Sequence, residues 1–175
     1  TVTDANGCKG ISSPIITTIS PNLNVTISGT TTICKSDSTV LTAAGAPRYV
    51  WNGNTKDTLN KITAIPFVDS TYIVVGTSTS GKCRGSDTVV VTVNPLPTVN
   101  VGMDLKMCAG ERVTLNASGN QSYTYSWTPS TLNDTNAVSP EANPNTTTIY
   151  IAKITDKITN CVGYDTVQVT VNPLP

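Results

Sequence analysis

The chain has 175 residues, 11 basic and 11 acidic side chains, and no histidine. Zero net charge without a basic stripe offers nucleic acid no electrostatic footprint, and the missing imidazole excludes Ser-His or Cys-His nucleophiles and histidine-bound metals. No apolar run approaches the roughly 20 residues that cross a bilayer as a helix, so membrane insertion is not expected. Frequent Thr, Val, Ile and Tyr suit pleated, half-buried surfaces. Without a sustained 3.6-residue apolar period, the expected class is all-β.

In chain order, residues 1–22 match the end of a unit that recurs twice further on. Thr1 to Cys8 align with the strand and turn before Cys83 and Cys161, residues 11–19 supply a final strand, and Pro21 begins a linker. Residues 23–97 form the first full repeat. Its expected strands are 23–28, 39–43, 48–51 (carrying Trp51), one or two weak ones within 58–67, then 71–76 and 88–93. Turn residues separate them, as at Gly45-Ala46-Pro47 and Ser80-Gly81.

Residues 98–175 repeat this order. Asn94-Pro95-Leu96-Pro97 returns as Asn172-Pro173-Leu174-Pro175, each time after a Val/Thr run, and Cys83/Cys161 and Tyr72/Tyr150 keep the same spacing of 78 residues. Trp51/Trp127 are 76 apart and Cys34/Cys108 are 74 apart. Self-similarity of this length indicates modules, each with its own core. About seven short strands per repeat point to tandem immunoglobulin-like (PKD-like) β-sandwiches. Alternation puts Val167, Val169 and Val171 on one face, with Thr166, Gln168 and Thr170 on the other. Trp51, Trp127, Tyr72 and Tyr150 are read as core residues. Each tyrosine is expected at the start of the penultimate strand, its hydroxyl tied to nearby backbone.

The five cysteines form no C-x-x-C pair, and their wide spacing in a Thr/Ser/Asn-rich β chain reads as disulfides in an oxidising compartment. Two pairings are open. Within repeats, Cys34–Cys83 and Cys108–Cys161 would close similar loops, and their recurrence tips the reading that way. Sandwich topology objects, because the two turns involved lie at opposite poles, further apart than the roughly 7 Å a disulfide spans between Cα atoms. The other scheme staples Cys34 to Cys161 across the Asn-Pro-Leu-Pro linker. Cys8 is then unpaired or paired upstream, and Cys83 and Cys108 have partners elsewhere.

Met107-Cys108-Ala109-Gly110-Glu111-Arg112-Val113-Thr114-Leu115, Tyr125-Ser126-Trp127-Thr128-Pro129 and Thr146-Thr147-Thr148-Ile149-Tyr150 resemble the Ig-like and PKD-like repeats of Bacteroidota surface proteins. Ile33-Cys34-Lys35-Ser36-Asp37-Ser38-Thr39, Tyr49-Val50-Trp51 and Thr71-Tyr72-Ile73-Val74-Val75 show the same pattern, and Thr1 to Cys8 look like the end of a repeat in gliding-motility adhesins. The resemblance implies type IX secretion, extracellular display on the cell surface, and a non-catalytic spacer or adhesin role. Its partners would be neighbouring modules of the same polypeptide, surface glycans or other cells. At Trp51-Asn52-Gly53 the chain departs from the Trp-Asp-Phe-Gly run of PKD domains, which places their calcium site in doubt here.

Asp followed by Ser or Thr at Ser38, Thr58, Ser70, Thr88 and Thr166 resembles the Bacteroidota O-glycosylation motif, although Asp-Ser/Thr also marks turns before strands. Asn24-Val25-Thr26 is a sequon that matters only in a eukaryotic secretory host. For metals, Asp57, Asp69 and Asp87, or Asp134, Glu141 and Asp156, are the groups to consider, but no loop carries a spaced calcium-binding series. The expectation is no cofactor, no metal and no enzyme. The competing reading is a glycan-binding accessory module of a polysaccharide-degrading protein, with Phe67, Tyr123 and Tyr164 as loop aromatics.

Overall fold

A computed structural model describes residues 2–3, 5–10, 22–52, 59–118 and 122–175. The strand expected at 11–19, Gly53, Asp57 and Thr58 lie outside these. The described residues are all-β, with strands in chain order β1 (Val2–Thr3), β2 (Lys9–Gly10), β3 (Thr26–Ser28), β4 (Thr32–Cys34), β5 (Thr39–Ala44), β6 (Arg48–Trp51), β7 (Lys61–Ala64), β8 (Ser70–Thr77), β9 (Arg84–Asn94), β10 (Leu105–Cys108), β11 (Val113–Thr114), β12 (Tyr123–Thr128), β13 (Glu141–Ala142), β14 (Thr148–Asp156) and β15 (Val162–Asn172). Sheet orders are β3-β5-β7, β4-β9-β8-β6, β10-β15-β14-β12, and the pairs β1-β2 and β11-β13.

By packing, the chain divides into two compact units. One comprises Thr1–Ser28, Leu41–Ile62 and Tyr72–Val89, the other Gly29–Val40, Thr63–Thr71 and Val90–Pro175. In the first, β3 pairs antiparallel with β5 (Ile27 opposite Ala43) and β6 with β8 (Trp51 opposite Val74). Val25, Leu41, Ala43, Tyr49, Trp51 and Val74 are buried there. The Tyr49 hydroxyl accepts the Ala46 N–H at 2.9 Å, so its polar end is satisfied.

In the second unit, β14 pairs antiparallel with β12 and β15. Tyr150, Ala152 and Ile154 alternate inward along β14, meeting Tyr125 and Trp127 of β12 and Val167 and Val169 of β15, with Met107, Leu115 and Ala142 completing the cluster. Val171 packs partly buried against it. Two short strands that alternation did not indicate also lie here. β4 runs parallel to the end of β9 (Cys34 beside Asn94), and β10 parallel to the end of β15 (Cys108 beside Asn172). In the first repeat, then, the leading segment pairs with β5 as β3, turns at Gly29 (φ 145°), and pairs with the last strand as β4. A leading strand shared between two sheets belongs to the immunoglobulin-like sandwich. The chain is an immunoglobulin-like β protein.

Four devices recur at equivalent positions. Trp51 and Trp127, each 1% exposed, donate their indole N–H to the carbonyls of Leu59 and Ala137, both at 3.0 Å. The Asp87 carboxylate accepts the Ile27 N–H at 2.7 Å, and that of Asp165 the Val101 N–H at 3.0 Å, pinning each leading segment to its last strand. Near the end of that strand, Asp69 accepts the Val93 N–H and Thr147 the Val171 N–H. Finally, a Cβ on Gly85 would collide with the Leu23 carbonyl, and one on Gly163 with the Pro97 carbonyl, so glycine is required where the incoming chain crosses.

Candidate functional site

The chemically distinctive feature is a covalent link. Cys34 and Cys161 form a disulfide with Cα atoms 5.6 Å apart at a sequence separation of 127. This corrects the reading that favoured pairing within repeats. The reason lies in β4. That strand carries Cys34 along β9 to the level of Asn94, rather than leaving it in a turn just before β5.

Two turns hold the cysteines. After β4, the Lys35 N–H donates to the Asn94 carbonyl at 2.8 Å and the Asp37 N–H to the Cys34 carbonyl at 3.0 Å, with Ser36 at a left-handed φ of 74°. On the other side, Asp156 organises the β14–β15 turn. Its carboxylate accepts the N–H groups of Ile158 (2.8 Å) and Thr159 (2.9 Å), and its own N–H donates to the Cys161 carbonyl at 3.0 Å. The Thr159 amide, then the Ile158 amide, holds the exposed Asp156 carboxyl below its ordinary value of 3.8. Cys161 itself is fully buried.

Between these turns the linker is fixed at both ends. The Asn94 carbonyl is bound by Lys35, and the Pro97 carbonyl lies against Gly163, two residues beyond Cys161. Proline at 95 and 97 removes two backbone donors and fixes two φ angles in between. An open groove of 410 Å³ runs beside the disulfide, lined by Thr30, Thr32, Asp37, Ser38, Asn94 and Thr159 among others. In the chain-entropy picture, closing a loop of this length contributes about 5 kcal/mol. Such a bond persists in an oxidising compartment.

No protein-family model matches the chain, and no curated protein matches it. Solved structures align over most of its length. The titin domains Z1Z2 in complex with telethonin share 14% identity over 89% of this chain and 100% of that one, with a TM-score of 0.34. Fibronectin(III)-like modules of Clostridium thermocellum CbhA share 13% over 85% of this chain and 94% of that one, with a TM-score of 0.38. A SusE-like surface-located polysaccharide-binding protein from the Bacteroides thetaiotaomicron heparin utilisation locus shares 13% over 84% of this chain and 34% of that one, with a TM-score of 0.43.

The remaining residues singled out from sequence fall as follows. Tyr150 is fully buried, and its hydroxyl meets the Thr131 hydroxyl at 3.0 Å rather than nearby backbone. Tyr72, its equivalent, is only half-buried, so the two tyrosines are not the matched core pair expected. Cys83 is half-buried and Cys108 exposed, both as free thiols, while Cys8 is exposed.

Ser38, Thr88 and Thr166 are exposed, and Ser70 is half-exposed with its hydroxyl donating to the Val68 carbonyl at 2.8 Å. The Asp beside Thr88 and the Asp beside Thr166 have a structural occupation, since each accepts its own threonine's N–H and that of the leading segment. The carboxylates considered for a metal are engaged separately: Asp69 by Val93, Asp134 by Asn136, Glu141 by Arg112 and Asp156 by its turn. The described residues bring no group of three or more potential ligands together. Of the loop aromatics, Phe67 is exposed in the β7–β8 loop, but Tyr123 and Tyr164 are strand residues of β12 and β15, which corrects their placement in loops.

Proposed function

We propose that this chain is a non-catalytic spacer segment of a longer extracellular protein, an array of modules at 23–97 and 98–175 preceded by the end of another at 1–22. Display on a Bacteroidota cell surface, through type IX secretion and in a gliding-motility adhesin or similar cargo, is the context its repeats resemble. One observation carries the reading: a disulfide ties Cys34, which lies beside the end of one repeat's last strand, to a turn of the next repeat across a four-residue linker rich in proline. A staple in that position restricts the hinge between successive repeats. An enzyme or a compact receptor has no need of that, whereas a spacer must resist bending and extension.

Small-angle scattering tests this. The expected result is an elongated particle whose maximum dimension changes when the disulfide is reduced under native conditions. A compact particle indifferent to reduction would sink the spacer reading. The competing reading, a glycan-binding accessory module, draws on the exposed Phe67 and Tyr164 side chains, 65% and 64% accessible. A glycan-array screen in which Phe67→Ala and Tyr164→Ala abolish a signal would favour it.

A further inference from the structure

The staple joins two kinds of turn, and the chain holds a second example of each. Cys108 is built like Cys34. It ends a strand lying parallel to the last strand of its repeat, and the Ala109 N–H donates to the Asn172 carbonyl at 2.9 Å, as Lys35 does to Asn94 at 2.8 Å. The Glu111 N–H donates to the Cys108 carbonyl at 3.1 Å, as Asp37 does to Cys34 at 3.0 Å. Gly110 takes the left-handed φ (87°) that Ser36 takes in the first turn. After Asn172 the Pro-Leu-Pro linker begins again.

Cys83 is built like Cys161. The Ser78 N–H donates to the Cys83 carbonyl at 3.0 Å, matching Asp156 and Cys161, and the Ser78 hydroxyl accepts the Cys83 N–H at 3.1 Å. Gly85, two residues on, lies against the Leu23 carbonyl just as Gly163 lies against that of Pro97. Incoming chain therefore passes beside Cys83 as it passes beside Cys161. Each thiol reproduces one half of the existing disulfide, and the two halves are complementary.

We propose that Cys108 and Cys83 are open halves of the same staple, each poised to bond another repeat of this kind head to tail. Cys108 would take the cysteine in the β14–β15-type turn of a repeat that follows, and Cys83 the β4-type cysteine of one that precedes. The bond forms by exchange with a disulfide oxidant such as oxidised glutathione. Two cysteine thiols lose two electrons and two protons, one protein S–S bond forms, and the oxidant's S–S bond breaks to give two thiols. The inference rests on the array reading and extends it to a covalent rule, in which every repeat is bonded to the one after it.

The test extends the full chain at Pro175 by a second copy of residues 98–175 and folds it with oxidised and reduced glutathione. A non-reducing peptide map should then show a Cys108–Cys161 linkage in amounts equal to the Cys34–Cys161 linkage, with Cys108 of the first copy protected from alkylation. Cys108→Ser in that copy should remove the new linkage alone. Full alkylation of Cys108 while Cys34–Cys161 stays intact would overturn the proposal, as would a Cys83–Cys108 linkage. The intact Cys34–Cys161 bond reports that the host has folded. Scattering tests the spacer reading independently of either outcome.

Discussion

The two repeats share a frame and fill it differently. Both fix an indole by a carbonyl at 3.0 Å, pin the leading segment with an aspartate, and admit incoming chain over a glycine. Yet where the second repeat has Tyr150 and Ile154 fully buried on β14, the first has a half-buried Tyr72 and Gly76. At Gly76 a Cβ would collide with Val25 and Ala46 side chains, so no larger residue fits. Backbone-directed bonds conserve geometry between the copies because amide positions are set by the strands. Side-chain filling drifts, because a core accepts many combinations of similar volume.

Emptying both frames should have the largest effect. Trp51→Ala and Trp127→Ala should each cost about 3–5 kcal/mol, since both remove a fully buried ring and orphan a carbonyl partner. Urea denaturation monitored by circular dichroism would check it. A loss below about 1 kcal/mol at either site would mean the two indoles do not play the same part. Cys34→Ser comes next, with about 2–5 kcal/mol expected from the lost loop constraint. Cys108→Ser, at the equivalent but unbonded turn, should change stability by no more than about 0.5 kcal/mol. Thermal unfolding of the two variants side by side measures the contrast.

Asp87→Ala and Asp165→Ala should each lose about 1–3 kcal/mol, because a backbone N–H then lacks its charged acceptor. Equal losses would support the shared frame. Tyr150→Phe should cost about 1 kcal/mol through the Thr131 hydroxyl, and Tyr72→Phe should be nearly neutral. The smallest effect is the pH response of the turn before Cys161. Because the folded state depresses the Asp156 pKa, its contribution is present above 3.8 and is lost as pH falls from there through the folded value. NMR titration of Asp156 should show a midpoint below 3.8, and an ordinary midpoint would remove the capping role.

Strand composition, the repeated Val/Thr runs and the spacing of Trp and Cys were enough to indicate an all-β, immunoglobulin-like chain. Arg48–Trp51 and Val167, Val169 and Val171 show why: period-2 alternation and aromatic landmarks are local signals. The same local character left β4 and β10 illegible. They are short edge strands that pair, among the described residues, with β9 and β15 some 60 residues away along the chain, and no alternation announces them. The disulfide pairing depended on β4, which carries Cys34, so recurrence of the cysteines misdirected it.

The period of the repeat, the strand-forming segments and which aromatic residues carry apolar bulk were legible from residue type and spacing, because those are properties of the chain in one dimension. Which cysteines meet, that Asp87 and Asp165 clamp backbone, and that Tyr72 stays half-exposed where Tyr150 does not, came only with the folded chain. Each of these depends on where a distant segment crosses, and that position is fixed only when the sheets assemble.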